Sequence, residues 1–113
     1  MAITFKEFQS KAESVEVHPE STDKPWEYAL TGFLAETGKF SKTVETGLPK
    51  GNLTSEEREK AIENAWKALW CLSVACCFAG ISLEAVADRG MIELDKLGND
   101  FLPKEYPVFI VPD

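Results

Sequence analysis

Apolar residues recur at three- and four-residue intervals through most of the chain, the spacing of helices with one buried face rather than of strands. In FKEFQSKAESV, residues 5–15, Phe5, Phe8 and Ala12 share a face, and Thr4 with Glu7 forms a capping-box pattern ahead of them. Residues 16–24, with Pro19, Ser21, Thr22 and Asp23, lose that periodicity and predict a connecting loop. A second helix is expected to open at Pro25, whose fixed φ suits a first turn, and to stop at Gly47, with Pro49 just beyond. Along it Trp26, Ala29, Leu30, Phe33, Leu34, Thr37 and Phe40 predict an inward face, with Gly32, Glu36, Lys39 and Thr43 on a polar face beside it.

LPKGNL reads as a turn, and Thr54 with Glu57 repeats the capping-box pattern at the head of a long helix reaching about Ala79. Its first half, SEEREKAIEN, is charged and predicts a solvated surface. The second half, AWKALWCLSVACCFAG, is apolar nearly all round and calls for burial on more than one side, which a second copy would supply. Gly80 marks its end, and Ser82 caps a last helix, LEAVADRGMIELDKLG, with Glu84 favourably placed in the first turn. The expected architecture is an all-α unit of four helices over residues 1–98, followed by an extended tail, residues 99–113, with three prolines and an apolar run Val108–Val111.

A chain of 113 residues, 44% hydrophobic, suits one domain with a modest core. The net charge of −7 argues against nucleic acid or an anionic membrane surface as partners, since both require a surplus of Lys and Arg. The start lacks a basic segment followed by an apolar run, so no secretory signal is read and a soluble, cytoplasmic protein is expected. The apolar run from Ala68 to Gly80 is too short to span a bilayer. Cys71, Cys76 and Cys77 lack the spacing of a zinc knuckle or a C-x-x-C redox pair and read as reduced core thiols. The lone histidine, His18, would need distant carboxylates to make a metal site. The sequon at Asn52 is incidental without a secretory signal.

Two stretches carry a likeness to a known family. YALTGFLAETGKFSK resembles the MazG-family pattern of an aliphatic stretch followed by a glycine-punctuated pair of glutamates. The long helix ending in glycine and followed by ISLEAVA is similar to that family's last two helices, and FKEFQSKA resembles its first, so the likeness runs from Ile3 to Leu97. It implies a dimeric or tetrameric all-α enzyme that hydrolyses a nucleoside triphosphate to the monophosphate and pyrophosphate. It also implies magnesium held by E-x-x-E on one helix and E-x-x-D on the facing one. Residues three apart share a helical face, so two such pairs can converge on a hard cation.

Carried over position by position, Glu36 matches the first glutamate, Lys39 replaces the second, and Asn64 and Lys67 stand where the E-x-x-D pair belongs. Gly90 occupies a position where the family commonly has an asparagine that contacts phosphate. Lysines in ligand positions would place ammonium groups where magnesium sits, so no ordinary metal site and no cofactor are expected. The reading is a catalytically degenerate member that acts by binding a nucleotide or other anion, or as a protein-interaction or regulatory subunit, self-associating as a homodimer or homotetramer through the long apolar helix. Either Lys39 and Lys67 pair with Glu36 in a metal-free cluster, or the former ligand positions Glu36, Lys39, Asn64 and Lys67 offer a place for an anion drawn by the lysines. Trp66 is a candidate for base stacking, beside Trp26 and Trp70. The alternatives are an active Mg-dependent pyrophosphohydrolase with a site rearranged around Glu36, Glu59 and Glu63, and a purely structural interaction module.

Overall fold

The computed structural model describes residues 2–15 and 22–98. Over these the chain is all-helical, with four α-helices: α1 (Phe5–Glu13), α2 (Pro25–Gly47), α3 (Ser55–Ala79) and α4 (Leu83–Leu97), plus a 3-10 turn at Leu48–Lys50. The expected tail, residues 99–113, and most of the expected loop, residues 16–21, including His18, lie outside the described residues.

Each helix start follows from local hydrogen bonding. At α1 the Thr4 hydroxyl accepts from the Glu7 amide at 3.0 Å while the Glu7 carboxylate accepts from the Thr4 amide at 2.8 Å. At α3, Thr54 and Glu57 repeat both bonds, and at α4 the Ser82 hydroxyl accepts from the Ala85 amide. Pro25 opens α2, because its missing N–H costs nothing in a first turn. Gly80, in left-handed conformation at φ 73°, closes α3, and the Ile81 and Gly80 amides return to the Cys76 and Cys77 carbonyls.

One boundary differs from expectation, and another is reached by different backbone geometry. α1 ends at Glu13, where the Ser14 hydroxyl donates to the Lys11 carbonyl at 2.6 Å and draws the chain out of the helix. Gly47 is the last helical residue, at φ −83°, rather than a left-handed stop; the positive φ falls instead on Gly51, at 116°. Gly47 is required for closeness: a Cβ there would overlap the Leu53 side chain and crowd the Glu57 carboxylate.

α2 and α3 form an antiparallel pair that dominates the fold, with Gly32 against Cys71, Glu36 against Asn64 and Gly47 against Glu57. The inward face of α2 therefore keeps Ala29 and Phe33 of the apolar face expected and replaces the rest. Ala29, Gly32, Phe33, Glu36, Thr43 and Gly47 line the contact with α3, whereas Leu30 is 50% exposed and Leu34 is 72% exposed. Small residues win because they let the two backbones approach; a Cβ on Gly32 would lie 2.7 Å from the Cys71 sulfur. α1 lies across the C-terminal half of α3, where Ala12, Ala29 and Val74 form the core with Phe8, Trp70 and Ala75 around them. α4 leaves α3 sharply and meets α1.

Candidate functional site

Glu36 stands midway along α2, its side chain 17% exposed, facing α3. The Asn64 amide donates to its Oε1 at 2.9 Å across the helix pair. Lys39, one turn on, brings its Nζ to 3.7 Å from Oε2 but is itself largely exposed. The two oxygens are thus shared between a neutral amide on the facing helix and an ammonium on the same helix. That arrangement ties α2 to α3 at a polar point within an apolar seam.

Lys67 does not join this group. Its Nζ pairs with Glu63 Oε2 at 3.1 Å, and the Trp66 indole N–H donates to Glu63 Oε1 at 3.2 Å. At about 100° per residue, Lys67 and Glu63 flank Asn64 on one side of α3, while Trp66 lies on the far side from Asn64. The hydrogen bond from Lys67, and then that from Trp66, hold the Glu63 carboxyl below the usual carboxylate range. The expected cluster of Glu36, Lys39 and Lys67 is therefore two local groups: Glu36 with Asn64 and Lys39, and Glu63 with Lys67 and Trp66.

The set Glu36, Glu59 and Glu63 is likewise dispersed. Glu59 is exposed on α3, and Glu63 is engaged by Lys67 and Trp66. Among the described residues no group of three or more His, Cys, Asp or Glu side chains is placed to hold a metal ion. Trp66 stacks against Trp70, ring centroids 5.9 Å apart, and both line a groove against α1. A base stacked there would be separated from Glu36 and Lys39 by the thickness of α3. Gly90 lies in α4, and a Cβ added to it would meet nothing.

The cysteines sit within the fold as unpaired thiols. Burial, and then the nearby Glu36 carboxylate, push the Cys71 thiol up; burial, and then Glu13, do the same for Cys77. Thiols held protonated in this way are poor nucleophiles. Asn52 serves its own turn, its Oδ1 accepting from the Leu53 amide at 2.8 Å.

Two organising residues escaped the sequence reading. Gln9 accepts from the Leu83 amide at 2.9 Å and donates to the Ile81 carbonyl at 3.0 Å, which fixes α1 to the α3–α4 corner. Nothing in its spacing marks it beyond a polar residue next to Phe8. Lys50 pairs with Glu57 at 3.1 Å, so a single carboxylate caps α3 and anchors the preceding turn; the Glu57 capping pattern was legible, but the Lys50 contact needed the turn's geometry. No single helix among the described residues is long and apolar enough to cross a membrane. Compared with protein-family models, curated proteins and solved structures, the chain matches none.

Proposed function

We propose that this chain is a non-catalytic, MazG-like interaction module that self-associates through one face of the α2–α3 pair. The observation that carries the reading is the uncovered apolar side of that pair. In an antiparallel pair, the residues one position beyond each contact residue fall on a common side. On α2 these include Leu30 and Leu34, and on α3 Ile62, Ala65, Leu69 and Leu72; Leu30, Leu34 and Ile62 are all at least half exposed. α1 covers the opposite side, over Trp70 and Val74, and leaves this one open. A second copy turned by a two-fold axis would place the same stripe against itself, as an isologous contact requires.

The former ligand positions fit the same reading. Glu36 faces Asn64 and Lys39, so the place where the resemblance implies a magnesium site is instead a polar clasp between helices. The clasp fixes the register of α2 against α3, and with it the alignment of the apolar stripe, a role for which buried polar pairs are well suited. Anion binding by Lys39 and Lys67 is less favoured, since each already has a carboxylate partner.

Light scattering tests the proposal. The wild-type chain should have at least twice the 12.6 kDa chain mass at micromolar concentration. Leu30→Glu with Leu34→Glu should return it to one chain while helical content persists. A wild-type monomer would overturn the association, and pyrophosphate released from nucleoside triphosphates with magnesium, and lost in Glu36→Ala, would overturn the non-catalytic reading.

A further inference from the structure

Two apolar surfaces among the described residues are complementary in shape. One is concave: a groove of about 280 Å³ between α1 and α3, lined by Phe8, Lys11, Ala12, Val15, Trp66 and Trp70. Trp66 stacks on Trp70 with 24° between the rings, and its indole N–H is committed to Glu63, so the wall it presents is aromatic rather than a donor. The other surface is convex. α4 is buried only at Leu83, where Gln9 of α1 holds it, whereas Met91 and Leu94 on its later turns are 61% and 60% exposed. At about 100° per residue, Leu83, Ala87, Gly90, Leu94 and Leu97 share one face of α4, with Val86 and Met91 beside it. This is the spacing with which an amphipathic helix fills a groove. Gly90 leaves a flat place in the ridge, where a Cβ would meet nothing of its own chain and an indole face can lie.

Charge agrees with shape. Lys11 is the one charged residue of the groove, and Glu84, Asp88 and Asp95 follow one edge of the apolar face of α4. None of these makes an ion pair among the described residues. The opposite edge is already neutralised where Lys96 pairs with Glu93.

α4 does not reach the groove of its own chain. Trp66 lies about 20 Å back along α3 from Ala79, at 1.5 Å per residue, so α4 would have to fold back on α3 to lie there. Instead the two helices bend by 103°, and Gln9 fixes that corner through the Leu83 amide and the Ile81 carbonyl. We infer that α4 of a second copy docks in the α1–α3 groove, with Met91 and Leu94 against Trp66 and Trp70 and Asp95 at Lys11. A two-fold axis makes the exchange reciprocal, each copy lending its α4 to the other. One helix in a short groove is a small contact of the weak, transient class, formed at about 1 mM rather than at micromolar concentration. It is separate from the association proposed for the α2–α3 face, since the groove lies on the other side of α3.

The Leu30→Glu, Leu34→Glu variant isolates the contact, being one chain at micromolar concentration and pairing when concentrated to about 1 mM. In a mixture of differently labelled copies of that variant, nuclear Overhauser contacts are expected from the Met91 and Leu94 methyls of one copy to the Trp66 and Trp70 indoles of another. Leu94→Glu should abolish them while contacts between Ala29 and Val74 in the core persist. Lys11→Glu should weaken the pairing several-fold, and Lys11→Glu with Asp95→Lys should restore it. The inference is overturned if the core contacts are present and the indoles meet no α4 methyl of another copy, if α4 meets only α4 of the second copy, or if the charge swap recovers nothing. A wild-type monomer at micromolar concentration would remove the α2–α3 association and leave this contact to be read in the same way.

Discussion

Glu36 takes its role from its neighbours. Its carboxylate lies in the α2–α3 seam with a side-chain amide from Asn64 and an ammonium from Lys39 as partners. In Glu36→Ala the partly buried Asn64 amide loses its acceptor, and the expected cost is about 1–3 kcal/mol in urea unfolding. Glu36→Gln keeps an oxygen for Asn64 and loses only the attraction of an exposed lysine, so its cost should stay within about 1 kcal/mol. A larger loss for glutamine than for alanine would contradict the clasp. The sequence singled out Glu36, Lys39, Asn64 and Lys67 by position along two helices. It did not show that Lys67 turns to Glu63, because residues four apart on α3 compete with the partner across the pair and the nearer contact wins.

Helix ends were the most legible elements, since a cap depends on residues three apart in the chain. Thr4 with Glu7, Thr54 with Glu57, Ser82 and Gly80 all mark the boundaries observed. The cap on α3 has a pH signature. The backbone amide of Thr54, and then the Lys50 ammonium, hold the Glu57 carboxyl below its usual range, so its folded value lies under its unfolded one. The ionised form therefore stabilises the fold above the ordinary glutamate value of about 4.3, and this contribution is lost as the pH falls through the lower folded value. The gap in melting temperature between wild type and Glu57→Gln should be present at neutral pH and close on acidification; a gap that widened would refute the linkage. Between elements the sequence was silent. Gln9 joins α1 to the α3–α4 corner across more than seventy residues of chain, and Gln9→Leu strands the Leu83 amide. A loss of about 1–3 kcal/mol is expected, with faster hydrogen exchange in the first turn of α4 than in the middle of α3.

At the scale of the molecule, the described residues keep large apolar side chains in contact with solvent on α2, α3 and α4, among them Leu34 at 72% and Met91 at 61% exposed. On the α2–α3 pair this exposed apolar surface is what the proposed association would cover. The sequence alone determined that the described residues are all-helical, where their four helices begin, and where α3 turns over at Gly80, because periodicity and capping are local and act over one or two turns. It also identified the apolar half of α3 as needing more than one neighbour. Which face of α2 turns inward was decided by tertiary structure. Hydrophobicity pointed to Leu30 and Leu34 alongside Ala29, yet the close approach of two backbones kept Ala29 and favoured Gly32 and Gly47, whose lack of bulk confers no local signal until α3 is beside them. The same packing separated Lys67 from Glu36 and placed Trp66 and Trp70 in a groove with α1, since those relations depend on how three helices meet rather than on the order of residues along any one of them.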